Sequence, residues 1–360
     1  MAFDVLQIIT DTDRRGAQVF ATDLGTELTR QGHAVRTFAL APGSVGGLDV
    51  PVLGQQPRSV PTLRALRREM RLSDVVVAHG STTLPACALA GIGTGKPFVY
   101  RQISDSRFWA PTRSRRLRVR LGLARAQHVV ALWSGAAHVL ENHFGVPRSK
   151  ITVIANGVPP DDFEPATDRG AARHLLEAIG LTPDRFTVLS VGALVAEKGV
   201  DLALDAVAAC PDVQLVVVGD GPERAALEAR AATIAPGRIR FEGQVAAVAP
   251  YYAAADAVVF PSRGGDSMPA TLIEAGLMAI PAVATPVDAI PEVVVDGVTG
   301  CLVPIGDLGR LERAIAELQA APETVSRLGA AARARCLEQF SIETIAAQWA
   351  LVLQAVARPR

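Results

Sequence analysis

The 360 residues are about half apolar and one-fifth charged, the composition of an ordinary globular protein, and at roughly 100–200 residues per domain they predict two domains with sizeable cores. Disordered, collagenous and coiled-coil classes are excluded, and with no run of eighteen apolar residues no helix is expected to span a membrane. The net charge of zero hides an asymmetry, because residues 1–155 hold 20 Lys or Arg against 10 Asp or Glu, while residues 156–360 hold 16 against 26.

That asymmetry has three readings: halves that attract one another, a basic half that faces an anionic partner, or a GC-rich genome writing Arg where Lys would serve. The start, MAFDVLQIITDTD, has no basic stretch before its apolar run, so it reads as a first strand (5–9) rather than a secretory signal. AQVFATDLGTELTRQG then repeats at helical spacing through Val19, Leu24 and Leu28, with Gly32 as a stop. HAVRTFAL, DVVVAH (74–79), KPFVYRQI and HVVALW (128–133) read as strands, and SGAAHVLENHFG as a helix before KITVIANGV. Four cysteines, Cys87, Cys210, Cys301 and Cys336, lie far apart without metal spacing, which fits a reducing compartment and argues against a disulfide framework.

A second cycle follows a linker expected near 156–185, where PPDDFEPATDRG supplies Pro and charge. FTVLSVGAL, VQLVVVGDG, RIRFEG, DAVVFPS, IPAVAT and GCLVP read as strands, and VDLALDAVAAC, PERAALEARAATI, VAPYYAAA and PATLIEAGLM as helices between them. β-Branched strands alternating with helices mean parallel sheets covered on both faces. A last helix, 341–356, starts with Ser341 and Thr344 in a weakened capping-box pattern and carries Ile345, Trp349, Val352 and Val356 on one side, so it must dock somewhere.

Ligands of open parallel sheets bind beyond the C-terminal ends of the strands, so the strand-to-helix junctions are the candidate sites. Gly16 follows the first strand in TDRRGA, which lacks a complete dinucleotide fingerprint, and Asp11 and Asp13 beside it form a D-x-D that could hold a divalent ion or do nothing of the kind. Gly192 and Lys198 lie in the junction VGALVAEKG, where the lysine either meets a phosphate or pairs with Glu197 at the surface. Gly219 and Asp220 form a Gly turn that either admits a ligand or is only a turn. The strongest junction is PSRGGDSMP, with Arg263, Asp266, Ser267, Met268 and Pro269 leading into the helix that carries Glu274. Small residues at a helix start make an anion site, and an acid in an apolar helix either binds a partner such as a ribose diol or faces solvent.

Across these pieces the chain resembles the family 4 ("group 1") glycosyltransferases, most specifically over 127–305, through the order and spacing of SGAAHVLENHFGVPRSKITVIANGV, VGALVAEKGVDLALDAV, LVVVGDGPERAALEARA, IRFEGQV and YYAAADAVVFPSRGGDSMPATLIEAGLMAIPAVATPVDAIPEVVVDGVTGCLVP. The resemblance implies an α/β GT-B fold: two facing Rossmann-like domains with a cleft between them. The N-terminal acceptor domain would be 1–160, completed by a returning helix in 341–360, and the nucleotide-sugar domain 161–340. It implies that Glu274 binds the nucleotide ribose, Asp266 the donor sugar hydroxyls and Lys198 the donor diphosphate, so that an E-x7-E motif has become D-x7-E. Ser267 and Met268 would offer N–H groups to phosphate, which Pro269 cannot.

Three departures from the family pattern matter. The family's second cation falls on Ala193, leaving Arg263 as a possible stand-in; only Arg15-Gly16 remains of a Gly-Gly loop; and no histidine follows PFVYRQI, where Arg101 and Asp105 stand. His79 matches another family histidine at a strand end and is either an acceptor-side contact or a structural residue. The implied activity is retaining transfer of a hexosyl group from a UDP- or GDP-sugar to a hydroxyl acceptor in glycan, glycolipid or cell-envelope synthesis, with no cofactor, no metal and no nucleic-acid partner. The alternative is a catalytically weak homologue serving as a subunit of a glycosylation complex. Residues 112–126 carry six arginines and no acid, with Arg113, Arg116 and Arg120 on one side and Leu117, Leu121 and Ala124 on the other, and Arg64, Arg67, Arg68 and Arg71 form a second basic stripe. A basic amphipathic helix lies on an anionic bilayer or packs its apolar side on the sheet. The expectation is a cytoplasmic protein that visits the inner membrane face and takes a lipid-linked acceptor.

Overall fold

Two six-stranded parallel sheets organise the chain. A computed structural model describes residues 2–103, 110, 112–166 and 169–357, and it divides into one unit of residues 1–158 with 341–360 and a second of residues 159–340. The chain leaves the first unit at Val158, at the start of the stretch expected as a linker, and most of that stretch belongs to the second unit.

In the first unit the strands β1 (Asp4–Ile9), β2 (Ala34–Ala39), β3 (Val75–His79), β4 (Phe98–Gln102), β5 (His128–Ala131) and β6 (Ile151–Val153) are ordered β2-β1-β3-β4-β5-β6. β3 and β4 are buried at every position, so they show no apolar-polar alternation, and each ends in buried polar side chains, His79 in β3 and Arg101 and Gln102 in β4. The connecting helices are α1 (Gly16–Arg30), α2 (Val60–Leu72), α3 (Thr83–Ala90), α4 (Arg113–Arg125) and α5 (Ser134–Phe144), with α3 between α2 and α4. The last helix, α14 (Ile342–Val356), packs against α1 in this unit. Its apolar side, Ile345, Trp349, Val352 and Leu353, joins Phe20, Leu24 and Leu28 of α1 over Val5, Val75, Val77, Val99 and Val130 of the sheet. Trp349 is fully buried, and the Ser341 Oγ accepts from the Thr344 N–H at 3.3 Å, so the weakened capping box still caps.

In the second unit β7 (Phe186–Val191), β8 (Val213–Val218), β9 (Ile239–Gly243), β10 (Ala257–Phe260), β11 (Ala282–Ala284) and β12 (Gly300–Leu302) are ordered β12-β11-β10-β7-β8-β9. The helices are α6 (Arg169–Ala178), α7 (Val200–Ala209), α8 (Arg224–Ile234), α9 (Ala249–Ala254), α10 (Ala270–Leu277), α11 (Ile290–Val293), α12 (Leu308–Ala320) and α13 (Pro322–Gln339). Val188, Leu215, Val217 and Val259 of the sheet pack with Leu204 of α7 and Leu311, Ile315 and Leu318 of α12 in one core. Because β7 and β10 are adjacent in the middle of this sheet, the loops that follow them emerge side by side at its C-terminal edge.

Candidate functional site

At that edge of the second unit the turn carrying Lys198 and the loop after β10 are stitched together. Gly199 adopts φ +65°, and a Cβ there would lie 2.2 Å from the Pro261 carbonyl oxygen, so only glycine lets the two segments approach this closely. The Arg263 N–H donates to the Glu197 carbonyl at 2.6 Å, and the Ser262 hydroxyl oxygen lies 3.0 Å from the same carbonyl. The result brings residues 68 positions apart into contact, since the Lys198 ammonium forms an ion pair with the Asp266 carboxylate. Asp266 is 4% exposed, and its other oxygen accepts from the Ser262 hydroxyl, itself fully buried. The Lys198 ammonium also lies 5.2 Å from the centre of the Phe260 ring, within cation–π range.

Arg263 is engaged elsewhere. Its guanidinium grips Asp201, in the first turn of α7, through two bonds of 2.7 Å, and donates to the Ala196 carbonyl at 2.9 Å. This pairing holds the Asp201 carboxyl below and the Arg263 guanidinium above their ordinary values. The stand-in for the cation missing at Ala193 is therefore a clamp on the Lys198 turn in this structure. Sequence reading placed it near the phosphate turn but had no means of seeing Asp201 as its partner.

Glu274 lies in the second turn of α10 and is half-buried. The Tyr252 hydroxyl of α9 donates to its Oε2 at 2.8 Å and lies 3.1 Å from the Thr271 carbonyl. Tyr252 is fully buried, and that burial, reinforced by Glu274, raises its phenol well above the ordinary value, so it is a neutral donor. Tyr252 and Ser262 were not singled out from sequence. Their position next to the acids emerges only when α9 and the β10 loop pack. Pro269 caps α10 without a side-chain bond, and the helix's first turn carries no acid to oppose an anion at its positive end.

Gly192 follows β7 with open space where a Cβ would point, whereas a Cβ on Gly219 would sit 1.9 Å from the Gly192 carbonyl oxygen. Gly192 thus leaves room for close approach, and Gly219 serves the packing of the two loops. Asp220 accepts from the Gly221 N–H at 2.7 Å and pairs with Arg224 at 3.1 Å, as a turn residue does.

In the first unit His79 and Arg101 are held apart from solvent. His79 is 2% exposed; its Nε2 meets Gln7 Oε1 at 2.8 Å, and its Nδ1 lies 3.4 Å from Arg101 Nη1. Arg101 is fully buried, stacks 3.9 Å over the Phe20 ring and donates to Asn156. Burial lowers His79 well below its ordinary value, with the Arg101 charge adding to it, and pushes Arg101 down to about 9. Of the two readings of His79, the structure shows the buried one, its ring between Phe20 of α1 and Trp349 of α14, and Arg101 is buried beside it against the same Phe20 ring. Asp105 lies outside the described residues. Gly16 is the first residue of α1, exposed, with nothing near the direction of a Cβ.

The D-x-D also has a structural use. Asp13 Oδ1 accepts from the Val45 and Gly46 N–H groups at 2.8 and 2.9 Å, which holds its carboxyl low, and Asp11 pairs with Arg15 at 2.5 Å. Among the described residues no group of three or more His, Cys, Asp or Glu is arranged to hold a metal ion.

Residues 185–320 match the family model described as "Glycosyl transferases group 1", and residues 14–162 match that of "Glycosyltransferase Family 4". The D-inositol 3-phosphate glycosyltransferase of Streptomyces avermitilis is 29% identical over 84% of this chain and 62% of its own length. That of Segniliparus rotundus is 34% identical over 62% of this chain and 51% of its own length. The chain therefore spans between half and two-thirds of these curated relatives. Among solved structures, Anabaena HepE in complex with UDP-glucose superposes with a TM-score of 0.85 at 21% identity, covering 98% of this chain and 100% of that one. Sucrose-phosphate synthase of Thermosynechococcus elongatus gives 0.83 at 21% identity, covering 98% of each.

Proposed function

From the premise that the chain belongs to the family 4, group 1 glycosyltransferases and has their GT-B fold, we propose that it transfers a hexosyl group from a nucleotide-sugar, a UDP- or GDP-sugar, to a hydroxyl acceptor with retention at the anomeric carbon. The observation that carries this is the convergence of Lys198 and Asp266 at the C-terminal edge of β7 and β10, with Glu274 on the helix that follows. In this reading Glu274 accepts from the ribose hydroxyls, Asp266 contacts the donor sugar, and Lys198 with the N–H groups at the start of α10 stabilises charge on the departing diphosphate. The acceptor attacks from the face the diphosphate leaves, and a phosphate oxygen takes its proton. Relatives whose names specify glycosyl transfer, and a similar fold solved with UDP-glucose, support the substrate class. Calorimetric titration of UDP- and GDP-sugars into wild type and Glu274→Ala tests it. Strong loss of affinity with an intact fold is expected, and unchanged affinity for every donor that binds wild type would refute the site.

The acceptor in this proposal is lipid-linked or otherwise anionic, and the protein is cytoplasmic and peripheral at the inner membrane face. Support comes from α4, whose buried side is Val119, Gly122 and Leu123, so that Leu117 and Leu121, 58% and 60% exposed, project away from the sheet. At roughly 100° per residue, Arg113 and Arg120 flank that ridge on one side and Arg118 and Arg125 on the other. The helix α2 beside α3 adds four arginines against one acid, Glu69, which is paired with Arg36 and Arg68. Arginines around protruding leucines suit an anionic bilayer better than a soluble polyanion. Co-sedimentation with phosphatidylglycerol vesicles, reduced by Leu117→Ser with Leu121→Ser and by salt, is the expected result. Protein left in the supernatant at low and physiological salt would end the peripheral reading.

A further inference from the structure

The candidate donor site contains a charge arrangement that simple cation-for-phosphate recognition does not require. Its lysine is already neutralised. Lys198 is paired with Asp266, a carboxylate 4% exposed and held from its other side by the buried Ser262 hydroxyl. Among the described residues no second cation is paired with Asp266: position 193 is alanine and Arg263 is locked to Asp201. An anion arriving at Lys198 therefore competes with a built-in one. Asp266 is fixed in that role by more than chance proximity: Ser262 is anchored in turn, its carbonyl accepting from the Thr285 hydroxyl at 2.5 Å and the N–H of the next residue, Arg263, donating to the Glu197 carbonyl at 2.6 Å, one residue before Lys198.

We infer that Asp266 is the internal counter-ion of Lys198, and that it favours release of the nucleoside diphosphate over retention. The inference rests on the donor-site reading above. A nucleotide-sugar brings both a diphosphate for Lys198 and sugar hydroxyls that donate to Asp266, so each partner of the broken pair is re-satisfied. A free nucleoside diphosphate brings one more negative charge and no hydroxyl for Asp266, which then faces it as an uncompensated buried carboxylate. Removing one member of a buried charge pair is costly to what remains, and here that cost falls on the product complex and not on the donor complex. The pair thus discriminates product from donor by chemistry at one carboxylate.

The test is a comparison of signs. Asp266→Asn keeps the shape and the acceptor for Ser262 while removing the charge. UDP and GDP should bind Asp266→Asn about tenfold more tightly than wild type, the change carried by roughly one charge-assisted hydrogen bond, while the intact sugar donor binds no better or worse. In steady-state assays product inhibition should deepen correspondingly. Ser262→Ala retains both charges but loosens the carboxylate, and should shift nucleoside diphosphate affinity in the same direction by less. Thermal melts of both variants check the fold. Equal or weaker nucleoside diphosphate binding by a folded Asp266→Asn would overturn the counter-ion role, as would a parallel gain for donor and product. If Lys198→Ala leaves UDP, GDP and donor binding unchanged, it is the donor-site reading that fails, an outcome distinct from either.

Discussion

Tyr252→Phe removes one oxygen from a fully buried side chain and leaves its packing otherwise intact. What is lost is the 2.8 Å bond to Glu274 Oε2 and the 3.1 Å approach to the Thr271 carbonyl. A hydrogen bond to a charged acceptor contributes about 1.5–3 kcal/mol, but Glu274 is only half-buried, so water replaces part of it, and a destabilisation of about 1–2 kcal/mol is expected. The Phe163 ring, edge-on to Tyr252 at 6.0 Å, keeps its contact in the variant, so no cavity adds to that figure. The same substitution releases the carboxylate that the proposal places on the ribose, and donor affinity should fall several-fold, mainly as a rise in KM with kcat little changed. Urea unfolding followed by fluorescence measures the first effect and titration with the donor the second. A variant with wild-type stability and wild-type donor affinity would show that the Tyr252–Glu274 contact positions nothing.

Three further outcomes follow from the geometry. Lys198→Ala should lower kcat more than it weakens donor binding, because its contact with phosphate strengthens as the diphosphate leaves; equal losses in steady-state and binding measurements would argue against that. Arg263→Ala should reduce turnover only through a loosened Lys198 turn, and Asp201→Asn should reproduce much of it, since the two residues form one clamp; a severe loss in Arg263→Ala alone would restore Arg263 as a direct phosphate contact. His79, neutral in its buried site, takes up a proton more readily in the unfolded chain. Its contribution to stability is full above about pH 6.5 and is lost as pH falls below it, by at most about 1.4 kcal/mol per pH unit. Denaturant unfolding at pH 7.5 and 5.5 should show a weaker pH dependence in His79→Gln than in wild type, although His33 and His128, also lowered by burial, leave a residual slope.

Much of the architecture is written locally. Strands buried on both faces, such as VVVAH and VQLVVV, are mostly apolar and lack alternation, and the helices of the second unit that line its core repeat at 3.6 residues, so both are legible without neighbours. The helix α2 was visible only as a basic stripe, because just Thr62, Leu66, Glu69 and Met70 are buried and two of those four are polar. Strand-to-helix junctions marked Lys198 and the loop that holds Asp266, an apolar helix marked Glu274, and the family resemblance alone gave Asp266 its role. Which acid meets which base was not so marked. Lys198 with Asp266, Arg263 with Asp201 and Tyr252 with Glu274 are contacts across 68, 62 and 22 residues, set by the adjacency of β7 and β10 and the packing of the helices beside them. The same holds for His79 and Arg101, whose sequence positions at strand ends suit a substrate contact. Only the docking of α1 and α14 over the sheet turns them into buried structure, because a side chain's exposure depends on what the rest of the chain lays on top of it.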